Sequence, residues 1–455
     1  MRSNAEIAYP EERKIRHQKK LEFIFNLTLL FLLVIVIVLA AAMAITSAYD
    51  HHPDERVHFE AVKYYSKNHW LPPEIGDPET LDSYSAFGKS RLNLPDYYYL
   101  IAGKFTALIS IFTGNQLISA RFFNVFLLSI LVIMAFRMAS GMRMIYGILL
   151  LTPQIWYIYS YVNADAFALF LTFMITAQLV AENSFFKQYL NSPSLSKGFF
   201  KSLPLILLVT LLYFTKENFY LYFIFLLIWG VWFLYTRKDR KQLIIKFAIM
   251  ISIFLILILI KAGIDYSIYG PDKDDKLKEM QELTADADKK PSVRSIGEGD
   301  PLLNLKRRGV HYLELFKEPY NWHKGTFFTF CGTYDYMLIF GSANYYRLML
   351  LLYIFLFIFL VIHLWKKGWE ARYFVFSTIV LTIYILYLAF LFSWESAFQP
   401  QGRYLFPILG IVAYLFGRYG KSLQKQIIFQ ILLLATAVMS FYSFVAYGLM
   451  QIPKI

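Results

Sequence analysis

The chain has 455 residues, of which 57% are hydrophobic, 19% aromatic and 17% charged. Soluble domains carry about 25% charged residues, so the roughly three soluble domains that length alone would suggest are set aside. A formal charge of +13 often points to nucleic acid, but here Lys and Arg flank apolar runs, as in the cytoplasmic loops of membrane proteins, and no nucleic-acid partner is implied.

A bilayer core of about 30 Å needs about 20 apolar residues per helix, and in lipid each backbone polar group must be paired within the protein. Residues 1–20 form a basic N-terminus. Residues 23–48 carry no charge. Ala42-Met43-Ala44 suggests a signal peptide, but the run exceeds the roughly 7–15 apolar residues of such peptides, so an uncleaved first transmembrane helix over 21–48 is expected. The basic clusters at 1–20, 237–246, 366–372 and 418–425 are assigned to the cytoplasm. Residues 49–116 then form a first external loop. Within it, 95–113 reads as an interfacial helix, because Pro95 opens it and Lys104 lies in its middle. A transmembrane bundle follows over 117–261, with a cytoplasmic linker at 183–201 that includes Lys187, Lys197 and Lys201. Residues 262–345 make a large external loop, and 346–455 a C-terminal bundle. The expected fold is an all-α polytopic membrane protein with about eleven transmembrane helices and a cytoplasmic N-terminus. If 95–113 spans the membrane, one later segment does not.

Some spans are short. Fifteen uncharged residues separate Arg121 from Arg137, sixteen separate Asp165 from Glu182, and fourteen separate Arg403 from Arg418. At 1.5 Å per residue these give roughly 21–24 Å. Arg121, Asp165 and Arg403 are therefore expected below the outer membrane surface, lining a polar cavity, with snorkelling as the rival account. Lys216 and Lys261 are assigned to snorkelling; Asp165 is too short for it.

The strongest local signal is His51-His52-Pro53-Asp54-Glu55-Arg56-Val57-His58, just after the first helix. An acidic pair there can supply a general base at the water–lipid boundary, where an attacking hydroxyl must lose its proton. The bland alternative is a solvated juxtamembrane loop. The histidines and acids fit no standard zinc spacing, so no metal is assigned, although a divalent cation is left open. Asp272, Asp274 and Asp275 lack the spacing of a calcium loop. Cys331 is the single cysteine, which excludes an internal disulfide. No P-loop or dinucleotide fingerprint is present.

Pro-Asp-Glu-x-x-His after the first helix resembles the first external loop of the GT-C superfamily, the polyprenyl-phosphate-sugar-dependent glycosyltransferases. Leu94-Pro95-Asp96-Tyr97-Tyr98-Tyr99 resembles that superfamily's proline and tyrosine motif, with Asp96 in place of a second proline. Val162-Asn163-Ala164-Asp165 resembles its second acidic motif. Gln401-Gly402-Arg403-Tyr404-Leu405-Phe406-Pro407 is similar to a late motif of one bacterial membrane-protein family within it, known as a domain of unknown function. Residues 327–336 are a looser match to that family's aromatic loop. The resemblance implies that Asp54 is the catalytic base, that Glu55 orients it or the acceptor, and that Asp165 is a second acidic group. It also implies that Arg403 binds the phosphate of the lipid donor, assisted by Arg121 or by Lys89 and Arg91. The motif residues His58, Tyr97, Gln401 and Tyr404 are expected to contact substrate.

Physical reasoning agrees in kind. A departing polyprenyl phosphate gains negative charge, which a fixed guanidinium in a water-poor site stabilises. An ion pair of Arg403 with Glu395 is the structural rival, and Gly402 is expected to permit close backbone approach. One base suffices for inverting transfer, unlike the two carboxylates of a glycosidase. Trp70, Trp322 and Trp394 are the candidates for sugar stacking. The expected partners are a polyprenyl-phosphate sugar donor, a glycan or lipid-linked acceptor of the cell envelope, and the bilayer. The expected place is a bacterial cytoplasmic membrane with the active site facing outside. Alternatives are a transporter or flippase of lipid-linked sugars, a polysaccharide polymerase or ligase, and a metal-dependent membrane hydrolase. Oligomeric state is left open.

Overall fold

The computed structural model describes residues 3–195 and 198–455, with side chains from Arg16 onward. Residues 1 and 2 of the basic N-terminus and Lys197 of the 183–201 linker lie outside the described residues. The protein is a mostly helical, multi-pass membrane protein, with 74% of it in helices. Among the described residues, seven helices are long and apolar enough to cross a bilayer: Arg16–Thr46, Gln116–Arg137, Glu217–Thr236, Arg240–Tyr269, Ala343–Trp365, Trp369–Glu395 and Ile427–Leu449.

Helix α1 (Ser3–Thr46) leads to α2 (Glu55–Ser66), α3 (Tyr97–Thr113) and α4 (Gln116–Arg137). Asp96 caps α3 through the Tyr98 amide, Gly114 ends it in the left-handed region at φ 65°, and Asn115 caps α4 through the Ile118 amide. One break thus separates two helices in a run that is nearly all apolar. The chain continues through α5 (Ser140–Arg143), a 3₁₀ segment (Met144–Leu150), α6 (Pro153–Ile158), α7 (Ala164–Val180), α8 (Phe185–Leu190), α9 (Leu203–Tyr213), α10 (Tyr220–Thr236) and α11 (Arg240–Tyr269). The following loop holds α12 (Lys273–Thr284), α13 (Pro291–Ser295), α14 (Trp322–Cys331) and a hairpin of β1 (Thr333–Tyr334) and β2 (Ile339–Phe340). Helices α15 (Ala343–Trp365), α16 (Trp369–Glu395), α17 (Phe406–Leu423) and α18 (Ile427–Ser443) complete the fold.

The four other segments counted as crossings in the sequence are shorter, broken or more charged. Helix α7 has 17 residues and α9 has 11. Helix α17 has 18 residues but ends on Arg418 and Lys421. Residues 144–158 are interrupted at Thr152 by Pro153, and nearly every side chain in this stretch is buried. Irregular backbone at membrane depth is tolerated where protein surrounds it. Helix α3 packs on α2 and α4, and Lys104 donates to the Lys67 carbonyl at 3.0 Å and lies over the Trp70 ring at 4.4 Å.

In α1, Leu29, Leu33, Val36, Ala40 and Met43 form one buried stripe, while Phe31, Val34 and Val38 stay exposed. Both faces are apolar because the outer one meets lipid rather than water. Helix α17 packs closely against α7 and the 3₁₀ segment: a side chain at Gly410 would meet Thr172, and one at Gly417 would meet Ile145. Small residues at such crossings let helices approach in a bilayer.

The loops sort into two groups by contact. At one end, Asn26 bonds Gln424 and accepts from Arg143, Arg237 bonds Asn191, and Arg418 pairs with Glu370. At the other, the end of α1 bonds the C-terminal residues through the Ala48 amide and the Pro453 carbonyl at 2.8 Å. The start of α2 and of α7, the α9–α10 turn and the α16–α17 turn meet at this second end.

Candidate active site

Asp54 sits at the N-terminus of α2 in the left-handed region, φ 60° and ψ 13°, and its side chain does not cap the helix. Asp is among the few side chains that visit this region readily. An extended N-cap would turn the carboxylate onto the helix amides. Here Oδ2 instead lies 3.5 Å from Arg403 Nη2 and 3.9 Å from Arg91 Nη2, with the side chain 44% exposed.

Asp165 occupies the first turn of α7, whose N-cap is Asn163. Its Oδ2 lies 3.6 Å from Arg403 Nη1, and its Oδ1 3.6 Å from Lys216 Nζ. That Oδ2 is buried and accepts no hydrogen bond among the described residues. Arg403 therefore stands between two carboxylates. Its Nε donates to Gln401 Oε1 at 2.6 Å. The turn that carries it is held by the Gly402 amide, which donates to Thr329 Oγ1 at 2.7 Å. A side chain at Gly402 would collide with the Phe330 backbone, so the expected close approach is present. Tyr404 follows, its hydroxyl donating to Gln399 Oε1.

Three cations, Arg91, Lys216 and Arg403, thus face Asp54 and Asp165 at distances of 3.5 to 3.9 Å. These are longer than direct charge-assisted hydrogen bonds, so the side chains are gathered without being locked. Asp96 lies close enough to feel Lys216, Arg91 and Asp165, and burial pushes its carboxyl up to about 7.

Glu55 and Arg121 do something else. Arg121 Nε and Nη2 each donate to Glu55 at 2.7 Å, and its other donors reach the carbonyls of Ala44, Ser47 and Ala48. Both side chains are fully enclosed. The pair ties the ends of α1 and α4 to the start of α2, which sets the position of the neighbouring Asp54. Arg121 has no donor left for a phosphate in this arrangement.

The histidines also divide. His58 Nδ1 lies 2.7 Å from the Tyr99 hydroxyl, and His52 bridges Ser47 and Tyr157. Burial holds both well below the usual histidine range, so they are neutral. His51 reaches Asp335 at 3.3 Å, and Tyr336 donates to Asp50 at 2.7 Å. The aromatic loop at 327–336 therefore closes onto the first loop. Among the described residues, no group of three or more His, Cys, Asp or Glu side chains is placed to hold a metal ion.

Other expectations are revised. Tyr97 packs edge-on against Phe214 at 5.6 Å, with Lys261 over its ring, and is not among the residues gathered around Arg403. Lys89 forms no ion pair among the described residues; partial burial and the neighbouring Arg294 and Arg91 push its ammonium down. Glu395 pairs with Lys306 at 2.7 Å rather than with Arg403. Lys261 pairs with Asp265. Trp322 is buried, with its indole bonded to Ser393, whereas Trp70 is exposed. Lys216, rather than snorkelling to the surface, belongs to the cluster. The available signal was a lysine between two apolar runs, at the end of the bundle where Asp165 was expected.

No protein-family model, curated protein or solved structure matches this chain.

Proposed function

We propose that the chain is a GT-C-type membrane glycosyltransferase. It transfers a sugar from a polyprenyl-phosphate donor to a cell-envelope glycan or lipid-linked acceptor, with inversion. The observation that carries this reading is Arg403 held between Asp54 and Asp165, with Lys216 beyond. In this proposal the protein lies in a bacterial cytoplasmic membrane with a cytoplasmic N-terminus. The short segments complete about eleven crossings, and the cluster opens outward.

The acceptor hydroxyl gives its proton to Asp54 as its oxygen forms the new bond to the anomeric carbon. The bond from that carbon to the phosphate oxygen breaks, and its electron pair leaves with the phosphate. A phosphodiester with one negative charge becomes a monoester with two. Arg403, with Lys216 and Arg91 behind it, meets that added charge, the type of preorganised stabilisation that carries much of enzymatic catalysis. Asp54 is the exposed carboxylate of the cluster and is open to an acceptor. Glu55 acts through the position it gives Asp54. The donor set does not suit a divalent cation, because the two carboxylates already face three cations, and no step is assigned to one.

The test uses purified, reconstituted protein with a panel of polyprenyl-phosphate sugars and acceptors, and measures release of polyprenyl phosphate. Arg403→Ala is expected to lower the rate by about 10²–10³, and Asp54→Asn by about 10²–10⁴. Release that ignores both substitutions would remove the mechanism. A folded protein that releases nothing across the panel would favour a transporter of lipid-linked sugars and call for a flipping assay. Acceptor length separates single transfer from polymerisation or ligation.

A further inference from the structure

Away from Arg403, helices α12 and α13 and residues 304–307 enclose an open cavity of about 640 Å³, within the range of about 300–1,000 Å³ common for ligand pockets. Its lining includes Arg294, Lys306 and Arg307, with the neutral hydrogen-bonding side chains of Gln281, Ser295 and Asn304. Glu395 is the one carboxylate in that lining, and Lys306 engages it at 2.7 Å. Neither Arg294 nor Arg307 has a carboxylate partner within ion-pair distance among the described residues. Arg294 Nε is buried and has no hydrogen-bond partner. Arg307 Nη1 donates to the Ser295 carbonyl, whereas the adjacent Arg308 commits both Nε and Nη2 to the carbonyls of Leu303, Glu298, Gly299 and Asp300, and so staples the loop.

Two routes connect this cavity to the cluster around Arg403. On one side, the loop at 302–306 bonds the end of α16 through Asn304 to Ser396 at 2.8 Å and Lys306 to Trp394 at 2.9 Å; from there the chain runs on to Gln401 and Arg403. On the other, the loop at 85–89 packs against α12. The Asp286 amide bonds the Ala86 carbonyl at 3.0 Å, and a side chain at Gly88 would come within 2.7 Å of the Gln281 backbone. Lys89 lies on this loop, close enough to Arg294 and Arg91 to feel both, and Arg91 reaches Asp54. The elements that join the cavity to the candidate base therefore carry cations throughout: Arg294 and Arg307 in its lining, Lys89 on the 85–89 loop, and Arg91 and Arg403 at Asp54.

We propose that the cavity is a second binding site, which takes an acidic, hydroxyl-rich chain (a glycan bearing carboxylate or phosphate groups) and directs its end along Lys89 and Arg91 toward Asp54. Guanidinium groups without a carboxylate partner meet the acidic groups, and the amide and hydroxyl side chains meet sugar hydroxyls. Identifying this chain as the acceptor rests on the transferase reading; the binding itself does not.

The experiment is equilibrium binding of a labelled oligogalacturonate to the full chain in phosphatidylcholine nanodiscs, against a neutral maltooligosaccharide of equal length. The acidic chain is expected to bind at least about tenfold tighter and to weaken steeply from about 50 to about 300 mM salt. Arg294→Gln with Arg307→Gln is expected to remove at least about tenfold of that affinity. Gln281→Glu, which adds a like charge and removes no ion pair, is expected to weaken binding in the same direction. Equal affinity for the two oligosaccharides, or an acidic-chain affinity untouched by all three substitutions, would overturn the proposal. Turnover is not needed, so a chain inactive in sugar transfer that shows this pattern would leave the site standing.

Discussion

Arg121 grips Glu55 through two parallel bonds of 2.7 Å, and neither side chain reaches solvent. Removing one partner of such a pair leaves a buried charge uncompensated and costs about 3–5 kcal/mol, whereas replacing both with apolar groups costs less. Arg121→Met is therefore expected to lower thermal stability strongly, and Arg121→Met with Glu55→Met to recover much of the loss. Thermal unfolding in detergent measures both. Additive losses would show that the pair is not a unit. Any fall in activity of Glu55→Gln is expected to track this loss of structure and of Asp54 positioning.

Asp165 faces two cations at once, Lys216 and Arg403. Asp165→Ala leaves Lys216 without its ion-pair partner and Arg403 with Asp54 alone, and adding Lys216→Met removes the uncompensated cation. The double variant is expected to unfold at a higher temperature than Asp165→Ala alone. Under the transferase reading, Lys216→Met with Asp165 intact lowers kcat more than it raises KM for the phosphate donor. Steady-state kinetics against donor concentration separates the two parameters, and an unchanged kcat would show that Lys216 does not meet the charge added on the phosphate.

Asp96 titrates at about 7 because burial disfavours its charged form. An unfolded Asp titrates near 4, so between about pH 4 and 7 the folded chain holds a proton that the unfolded chain has released. This contribution to stability therefore falls as pH rises through that window and is level above it. Asp96→Asn keeps an acceptor for the Tyr98 amide, 2.8 Å away in the native chain, and cannot titrate. The difference in unfolding temperature between wild type and Asp96→Asn is expected to change across pH 4–7 in this direction. A constant difference would show that Asp96 does not titrate there.

Gly402→Ala would drive a methyl group into the Phe330 backbone, which has no rotamer by which to yield. The turn carrying Arg403 must then shift, and a misplacement of about 1 Å can cost about a hundredfold in rate. Under the transferase reading, the substitution is expected to reduce transfer by roughly that factor while the helices stay inserted, measured by polyprenyl phosphate release alongside circular dichroism. Full activity would mean that Arg403 does not depend on this contact.

The membrane-protein class follows from composition alone, because uncharged runs such as residues 427–450 have no other low-energy home. Asp54, Asp165 and Arg403 were also legible as candidates, each being a polar residue at the edge of an apolar run where desolvation is costly. The sequence could not say which charges pair. Glu55 and Arg121 are 66 positions apart, and only the packing of α1, α2 and α4 closes them into a structural pair. Lys216 joins Asp165, rather than extending toward the membrane surface, because the α9–α10 turn lies beside the start of α7. The 144–158 stretch reads as one continuous apolar segment, and the structure breaks it at Thr152 and Pro153 inside a shell of protein. The sequence therefore determined where apolar and charged segments must lie, since transfer free energy acts on each segment separately. Which carboxylate stays open and which is sealed depended on contacts between distant helices, and only the tertiary structure decided that.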